Sequence, residues 1–105
     1  MSGRYDPEMR LIPVEGRAAN LRCDIAELRG RVEAVTSIIR RLPLEVQAAL
    51  TGCLSHVERA ASRLREAEAA LGAALRGLPV LRWAGLDRAT DLYRDAIREV
   101  RAAAE

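Results

Sequence analysis

The side chains best suited to chemistry are one histidine and two cysteines, and their spacing argues against an active site. His56 is the only histidine of the 105 residues, and it adjoins Ser55. Neighbours on a helix point about 100° apart, so these two side chains cannot act there as base and nucleophile. Cys23 and Cys53 form no Cys-x-x-Cys pair and no metal-ligand spacing. The sequence predicts no catalytic residue, no metal site and no cofactor, and it leaves His56 as a pH-sensitive contact at most.

Three aspartates recur every four residues near the C-terminus, at Asp87, Asp91 and Asp95. On a helix they would form a ladder of carboxylates, whose repulsion costs about 0.2–0.5 kcal/mol per pair unless nearby arginines offset it. No glycine-bearing calcium loop accompanies them. Two interpretations stay open: an ordinary solvated helix face, or an acidic docking strip for a basic partner.

The sequence also contains three stripes of apolar residues, in which successive members lie alternately three and four residues apart. The first comprises Ala18, Leu21, Ile25, Leu28, Val32, Val35, Ile39 and Leu42. The second comprises Val46, Leu50, Cys53, Val57, Ala60, Leu64, Ala67, Leu71, Ala74 and Leu78. The third comprises Leu86, Ala89, Tyr93, Ala96, Val100 and Ala103. Sustained over several heptads, such stripes predict an all-α fold with coiled-coil-like bundle packing.

Helix boundaries follow from prolines, glycines and charge polarity. Pro43 suits a first helical turn, Gly77 can provide a left-handed C-cap, and Pro79 prevents continuation. We predict helices over about 15–41, 44–76 and 86–104 in one helical domain of residues 15–105, with residues 1–14 as a loose arm and residues 78–85 as a linker.

The connection around Leu42 and Pro43 is short, which favours a long antiparallel hairpin of the first two helices. A continuous helix kinked at Pro43 is the alternative. In the hairpin Cys53 would face roughly residue 33, which leaves Cys23 about 15 Å too distant for a disulfide. We expect a small buried Cys53 and a half-exposed Cys23, with an intermolecular bond through Cys23 as the alternative.

Composition bears on the partner. The chain has no phenylalanine, one tryptophan and two tyrosines, so its core is thin and other helices are expected to complete the stripes. The net charge is only +2 with both signs interspersed, although Arg40, Arg41, Arg59, Arg63 and Arg65 could form a basic edge. The sequence therefore argues against nucleic acid as a binding partner. It also argues against binding to a membrane, because no long helical face combines tryptophan with basic residues. We expect no small-molecule substrate.

Localisation is inferred from the N-terminus and from hydropathy. Residues 1–10 carry charges of both signs and no apolar signal region, and no window approaches the eighteen or so apolar residues of a membrane span. We expect synthesis in the cytoplasm, with export by a leaderless route as the alternative.

Trp83-Ala84-Gly85, placed in the linker and followed by an amphipathic helix, resembles the Trp-x-Gly helical-hairpin family of small type VII secretion substrates and partners, over residues 44–104. The resemblance implies a hairpin that pairs into a four-helix bundle, with Trp83 packed across the hairpin end and Gly85 allowing a tight backbone. The motif lies nearer the C-terminus than in the family. Tyr93 is followed four residues later by Ile97, where the family's export signal has an acid.

We therefore expect a non-enzymatic helical interaction module, either a type VII secretion substrate or the helical companion of an exported protein. Two alternatives are a self-assembling scaffolding subunit of a larger bacterial or phage particle, and a nucleic-acid-associated helical protein. The predicted partner is another helical protein, in a hetero- or homo-oligomer. The predicted partner interface comprises Leu21, Ile25, Leu28, Val32, Val57, Leu64 and Leu71.

Overall fold

A computed structural model describes residues 14–105 as four α-helices and one 3₁₀ turn, without a strand in that range. Helix α1 spans Val14–Arg40, α2 spans Leu44–Ala49, α3 spans Thr51–Arg76 and α4 spans Arg82–Ala104, and the 3₁₀ turn is Pro79–Leu81. The predicted all-α fold is confirmed. Of the predicted arm, only Val14 is described, and it is already helical.

The predicted second helix is divided at Leu50, whose φ of −102° and ψ of 15° separate α2 from α3. Thr51 and Gly52 follow, and both residue types favour a helix interior only weakly. The Thr51 hydroxyl donates to the Ala48 carbonyl at 2.8 Å, which compensates part of the interrupted helical hydrogen bonding. A continuous helix over 44–76 is therefore wrong at this one position.

The connection before α4 also differs from the expectation. Gly77 is extended, with φ −85° and ψ −171°, so the predicted left-handed cap is wrong. Leu78 stays extended ahead of Pro79, as residues before proline prefer. The chain then passes through the 3₁₀ turn directly into α4, and Trp83, Ala84 and Gly85 are helical rather than part of a linker.

Helices α1 and α3 are antiparallel, which confirms the predicted reversal and excludes the kinked continuous helix. The pairing of Arg29 with Glu68 and of Arg40 with Glu58, the latter at 2.7 Å, shows the opposite chain directions. The Gln47 amide donates to the carbonyl of Leu42 at 2.7 Å and thereby ties α2 to the turn. Helix α4 then returns antiparallel to α3.

The seam between α3 and α4 alternates large and small side chains. Ala60, Ala67, Ala89 and Ala96 have no exposed surface, and Leu64 lies among them fully buried. Small side chains let two helix backbones approach closely, so little side-chain volume is needed to fill the space. The alanine-rich composition thus produces a tight hairpin instead of an empty core.

Helix α1 lies against this hairpin less intimately. The molecule measures 56 × 34 × 17 Å with a radius of gyration of 17.2 Å. A compact chain of 100 residues would have a radius near 13 Å, so the described residues form an elongated body. Open grooves remain on both sides of α1, and they are the main candidates for function.

Candidate interaction surfaces

The predicted partner interface lies in the chain's own core. Six of its seven members are at most 8% exposed, and Leu28 is partly buried against them. The buried six are Leu21, Ile25, Val32, Val57, Leu64 and Leu71. These side chains belong to one hydrophobic cluster, so the helices use the stripes to pack against one another. Binding a partner through them would require the bundle to open, and it stays a prediction.

An open apolar groove of about 320 Å³ lies where α1, α3 and the end of α4 meet. We name it the three-helix groove. Its lining residues are Leu28, Arg31, Val32, Val35, Cys53, Val57, Val100, Ala103 and Ala104. Arg31 is the only charged residue among them. An apolar surface left open in this way marks a place where another molecule can bind.

Beside the groove, α1 has exposed apolar side chains toward its C-terminus. Val35 is 41% exposed and Ile38 is 59% exposed. Ile38 lies seven residues after Arg31, so both occupy the same side of the helix. The sequence pattern places Val35 in an apolar stripe but does not predict that Val35 and Ile38 are exposed. Periodicity does not show which part of a stripe is left without a neighbouring helix.

The two cysteines are free thiols in different environments. Cys53 is partly buried in the three-helix groove, whereas Cys23 is exposed on α1. No disulfide joins them, as their predicted separation required. The pair provides one thiol inside the groove and one outside it.

His56 joins α3 to α4 through Glu99, a partner that sequence analysis missed because the two residues are 43 positions apart. His56 Nδ1 lies 2.7 Å from Glu99 Oε1 and 2.9 Å from Arg59 Nη2. With a proton on Nδ1 it donates to the carboxylate, and without one it accepts from the guanidinium. The hydrogen bond from His56, aided by Arg59, holds the pKa of Glu99 below its ordinary 4.5 although desolvation opposes the shift. Arg59 also donates to the Ser55 hydroxyl at 2.9 Å, so the cluster is a hydrogen-bonded and ionic contact between α3 and α4.

Gly85 lies where α3 and α4 approach most closely near the hairpin end. A Cβ at this position would overlap the Ala74 Cβ and would lie 3.2 Å from the Ala74 Cα. Gly85 itself is helical, without the positive φ that would require glycine. The tight backbone that the resemblance implied is therefore corrected: glycine serves the contact between two helices, not a turn.

Trp83 belongs to a group of exposed apolar side chains at the same end, which we name the hydrophobic tip. Its members are Leu78 (65% exposed), Val80 (81%), Leu81 (58%) and Trp83 (46%). The Arg17 guanidinium carbon lies 5.6 Å from the centroid of the Trp83 ring, and Arg82 pairs with Glu15 at 2.6 Å, so α1 begins beside the tip. The sequence does contain a signal for this exposed surface, because four large apolar residues lie within the predicted linker of residues 78–85.

The predicted acidic docking strip is only partly available. Asp87 and Asp91 are exposed on α4, whereas Asp95 is partly buried and paired with Arg98. Asp87 shares a shallow surface cavity with Arg17 and Arg94. The strip is thus bordered by its own cations, which favours the solvated face over a docking role.

The predicted basic edge is mixed in charge. Arg40, Arg41 and Arg65 line a groove of about 700 Å³ together with Glu33 and Glu58. Arg40 pairs with Glu58, while Arg59 pairs with Glu99 and Arg63 with Glu66 outside the groove. The edge therefore has little excess positive charge to attract a polyanion.

Within residues 14–105, no group of three or more His, Cys, Asp or Glu side chains is placed to hold a metal ion. None of the helices in this range has the length and hydropathy to cross a membrane. Comparison of the chain with protein-family models, with curated proteins and with solved structures gives no match.

Proposed function

We propose that the protein is a non-enzymatic helical interaction module whose three-helix groove binds an amphipathic helix of another protein. The observation that carries this proposal is the apolar lining of the groove, which stays open between three helices. Val35 and Ile38 extend this surface along α1.

The spacing of the lining residues matches a helix. Leu28, Val32 and Val35 follow one another at intervals of four and three on α1. They therefore cover one face over about 10 Å. An amphipathic helix binds such a groove through apolar side chains at positions i, i+3 or i+4, and i+7. With α1, α3 and α4 already present, the incoming helix would complete a four-helix arrangement.

Arg31 sets the polarity of the partner. It lies at the groove with only a loose pairing to Glu27 at 3.8 Å, and its side chain is 74% exposed. A carboxylate on the polar edge of the incoming helix would improve on that pairing. We therefore propose a partner helix with an apolar stripe and an acidic residue beside it.

The finer proposal follows from the resemblance to the Trp-x-Gly family. A type VII secretion substrate or the helical companion of an exported protein would bind its partner as a helical hairpin. The antiparallel α3–α4 pair, with Trp83 and Gly85 in the first turns of α4, supports this proposal. Export would be tested by following the tagged chain into the culture medium of cells with and without that secretion machinery.

Self-assembly into a scaffolding subunit is the second candidate, because a second copy could place its own amphipathic helix in the groove. The mass of the purified chain in solution separates the two candidates. A nucleic-acid-associated role receives less support, since the arginines that would carry it are largely paired with acids.

The two thiols provide the experiment. We would purify the tagged full chain from its own cells and compare the rate of maleimide labelling in the free chain and in its complex. Labelling of Cys53 in the groove should slow at least tenfold in the complex, while exposed Cys23 should react equally in both. Equal labelling of Cys53 in the two samples would refute binding in the groove.

A matched pair of variants tests the same site. Ile38→Asp should abolish retention of the co-purifying protein, because it places a charge on the apolar extension of the groove. Ala26→Asp introduces the same charge at an exposed position about 160° around α1 from Leu28 and should retain the protein. Equal loss in both variants, or in neither, would contradict the proposal.

A further inference from the structure

The hydrophobic tip lies at the end of the molecule opposite the three-helix groove. Along α4, Trp83 is separated from Val100 by about 25 Å. Four of the eight large apolar side chains that are exposed in the described residues fall within six positions, 78–83. A partner helix in the groove would leave this surface uncovered, so the tip requires an explanation of its own.

The shape of the tip favours a fluid surface over a second protein. Val80 and Leu81 belong to a 3₁₀ turn between two antiparallel helices, so they form the convex end of a hairpin. Helices that bind proteins usually do so along a face or in a groove, where a polar rim surrounds an apolar centre. A convex apolar end offers no groove to receive a partner helix, whereas it can enter the outer part of a lipid layer without a complementary pocket.

The polar residues around the tip suit a membrane interface. Trp83 has an apolar ring and one N–H group, and tryptophan concentrates at the level of lipid headgroups. The sequence around the tip has a net charge of +2, counted over residues 14–17 and 73–88. The four positive residues are Arg17, Arg76, Arg82 and Arg88, and the two negative residues are Glu15 and Asp87. Arginine side chains can bury their stems in the interface and keep their charge at the headgroups.

We propose that the hydrophobic tip inserts into the surface of a membrane containing anionic lipids, with Leu78, Val80, Leu81 and Trp83 below the headgroups and the neighbouring arginines beside the lipid phosphates. The sequence argued against a membrane because no long helical face combines tryptophan with basic residues. The α3–α4 hairpin instead brings tryptophan and basic residues together at its end. Contact would be shallow and reversible, since one short turn is buried and no segment crosses the bilayer.

Trp83 is the only tryptophan in the chain and reports directly on the tip. The full-length protein would be mixed with vesicles of phosphatidylcholine alone, or of equal parts phosphatidylcholine and phosphatidylglycerol. With the anionic vesicles, Trp83 emission should shift to the blue and the protein should float with the lipid. Binding should be at least tenfold weaker with phosphatidylcholine alone and should weaken as salt is raised.

Two variants separate the tip from the rest of the molecule. Val80→Asp should reduce flotation at least tenfold while leaving the helical circular dichroism unchanged, because Val80 is 81% exposed. Leu44→Asp introduces the same charge on α2, at a side chain that is 80% exposed and lies outside both the tip and the three-helix groove, and it should float like the unmodified chain. Equal flotation of the unmodified chain and Val80→Asp, or none with anionic vesicles, would overturn the proposal.

A protein partner at the tip would give a different pattern. Vesicles would then leave Trp83 emission unchanged, while the blue shift would appear on adding a co-purifying protein or on concentrating the chain alone. Either result assigns the tip to a protein and overturns membrane insertion. Protection of Cys53 from maleimide is measured separately. A tip that does not bind membranes therefore leaves the groove proposal standing, and a groove that binds no partner leaves the membrane proposal standing.

Discussion

Helices α3 and α4 meet through alanines, whereas α1 meets them through leucine, isoleucine and valine. The buried residues of the α3–α4 seam include Ala60, Ala67, Ala89 and Ala96, and those of α1 include Leu21, Ile25 and Val32. Close-packed small side chains seal the hairpin along its length. Larger side chains hold α1 farther away and leave grooves on either side. Similar heptad stripes therefore produce a closed contact between α3 and α4 and a partly open contact between α1 and this hairpin. The candidate binding groove lies at the partly open contact.

The largest expected effect comes from placing a charge in the closed contact. Leu64 is fully buried, so Leu64→Asp should lower the free energy of unfolding by about 4 kcal/mol or more and leave the chain largely unfolded. Leu28 borders the open groove, and Leu28→Asp should cost only about 1–2 kcal/mol because its carboxylate can reach water. Urea unfolding followed by circular dichroism measures both. Similar losses in the two variants would contradict the contrast between the contacts.

A smaller effect is expected from adding one methyl group to glycines in the two regions. Gly85→Ala forces a Cβ into Ala74, and the resulting separation of α3 and α4 should outweigh the gain in helix propensity, for a net loss of about 1–2 kcal/mol. Gly30→Ala on α1 meets no heavy atom within 4 Å and should stabilise the protein by up to about 1 kcal/mol. Thermal unfolding of the two variants should shift in opposite directions. A stabilising Gly85→Ala would mean that the hairpin is less tightly packed than described.

The smallest effect concerns the ionic contact between α3 and α4. Because the pKa of Glu99 is lower in the folded chain than its ordinary 4.5, its contribution to stability is present above that value. The contribution is lost as the pH falls through the folded pKa. Glu99→Gln should therefore be less stable than the unmodified chain at neutral pH, and the difference should shrink as the pH falls below 4.5. Urea midpoints at several pH values test this, and a difference that persists in acid would assign the effect to packing.

The partner interface predicted from the sequence contains Leu28 and Leu64, so aspartates at both positions would be expected to abolish assembly with a partner. In the folded chain Leu64 is part of the intramolecular core, so loss of assembly in that double variant would follow from unfolding. Ile38→Asp is the better test of binding because its side chain is 59% exposed. The position of a residue in the bundle thus decides what a substitution can report.

The periodic spacing of apolar residues determined that the chain forms helices and nearly where each begins and ends, while the short connection at Pro43 favoured a reversal over a kinked helix without deciding between them. These properties depend on local spacing and on proline, both visible in one segment at a time. Only the tertiary structure decided that α3 and α4 form the closest pair, that Gly85 lies against Ala74, and that His56 reaches Glu99. It also decided which part of the α1 stripe stays open and that the tip is exposed. The physical reason is that periodicity specifies an apolar face, whereas the size and shape of facing side chains determine which faces close upon each other.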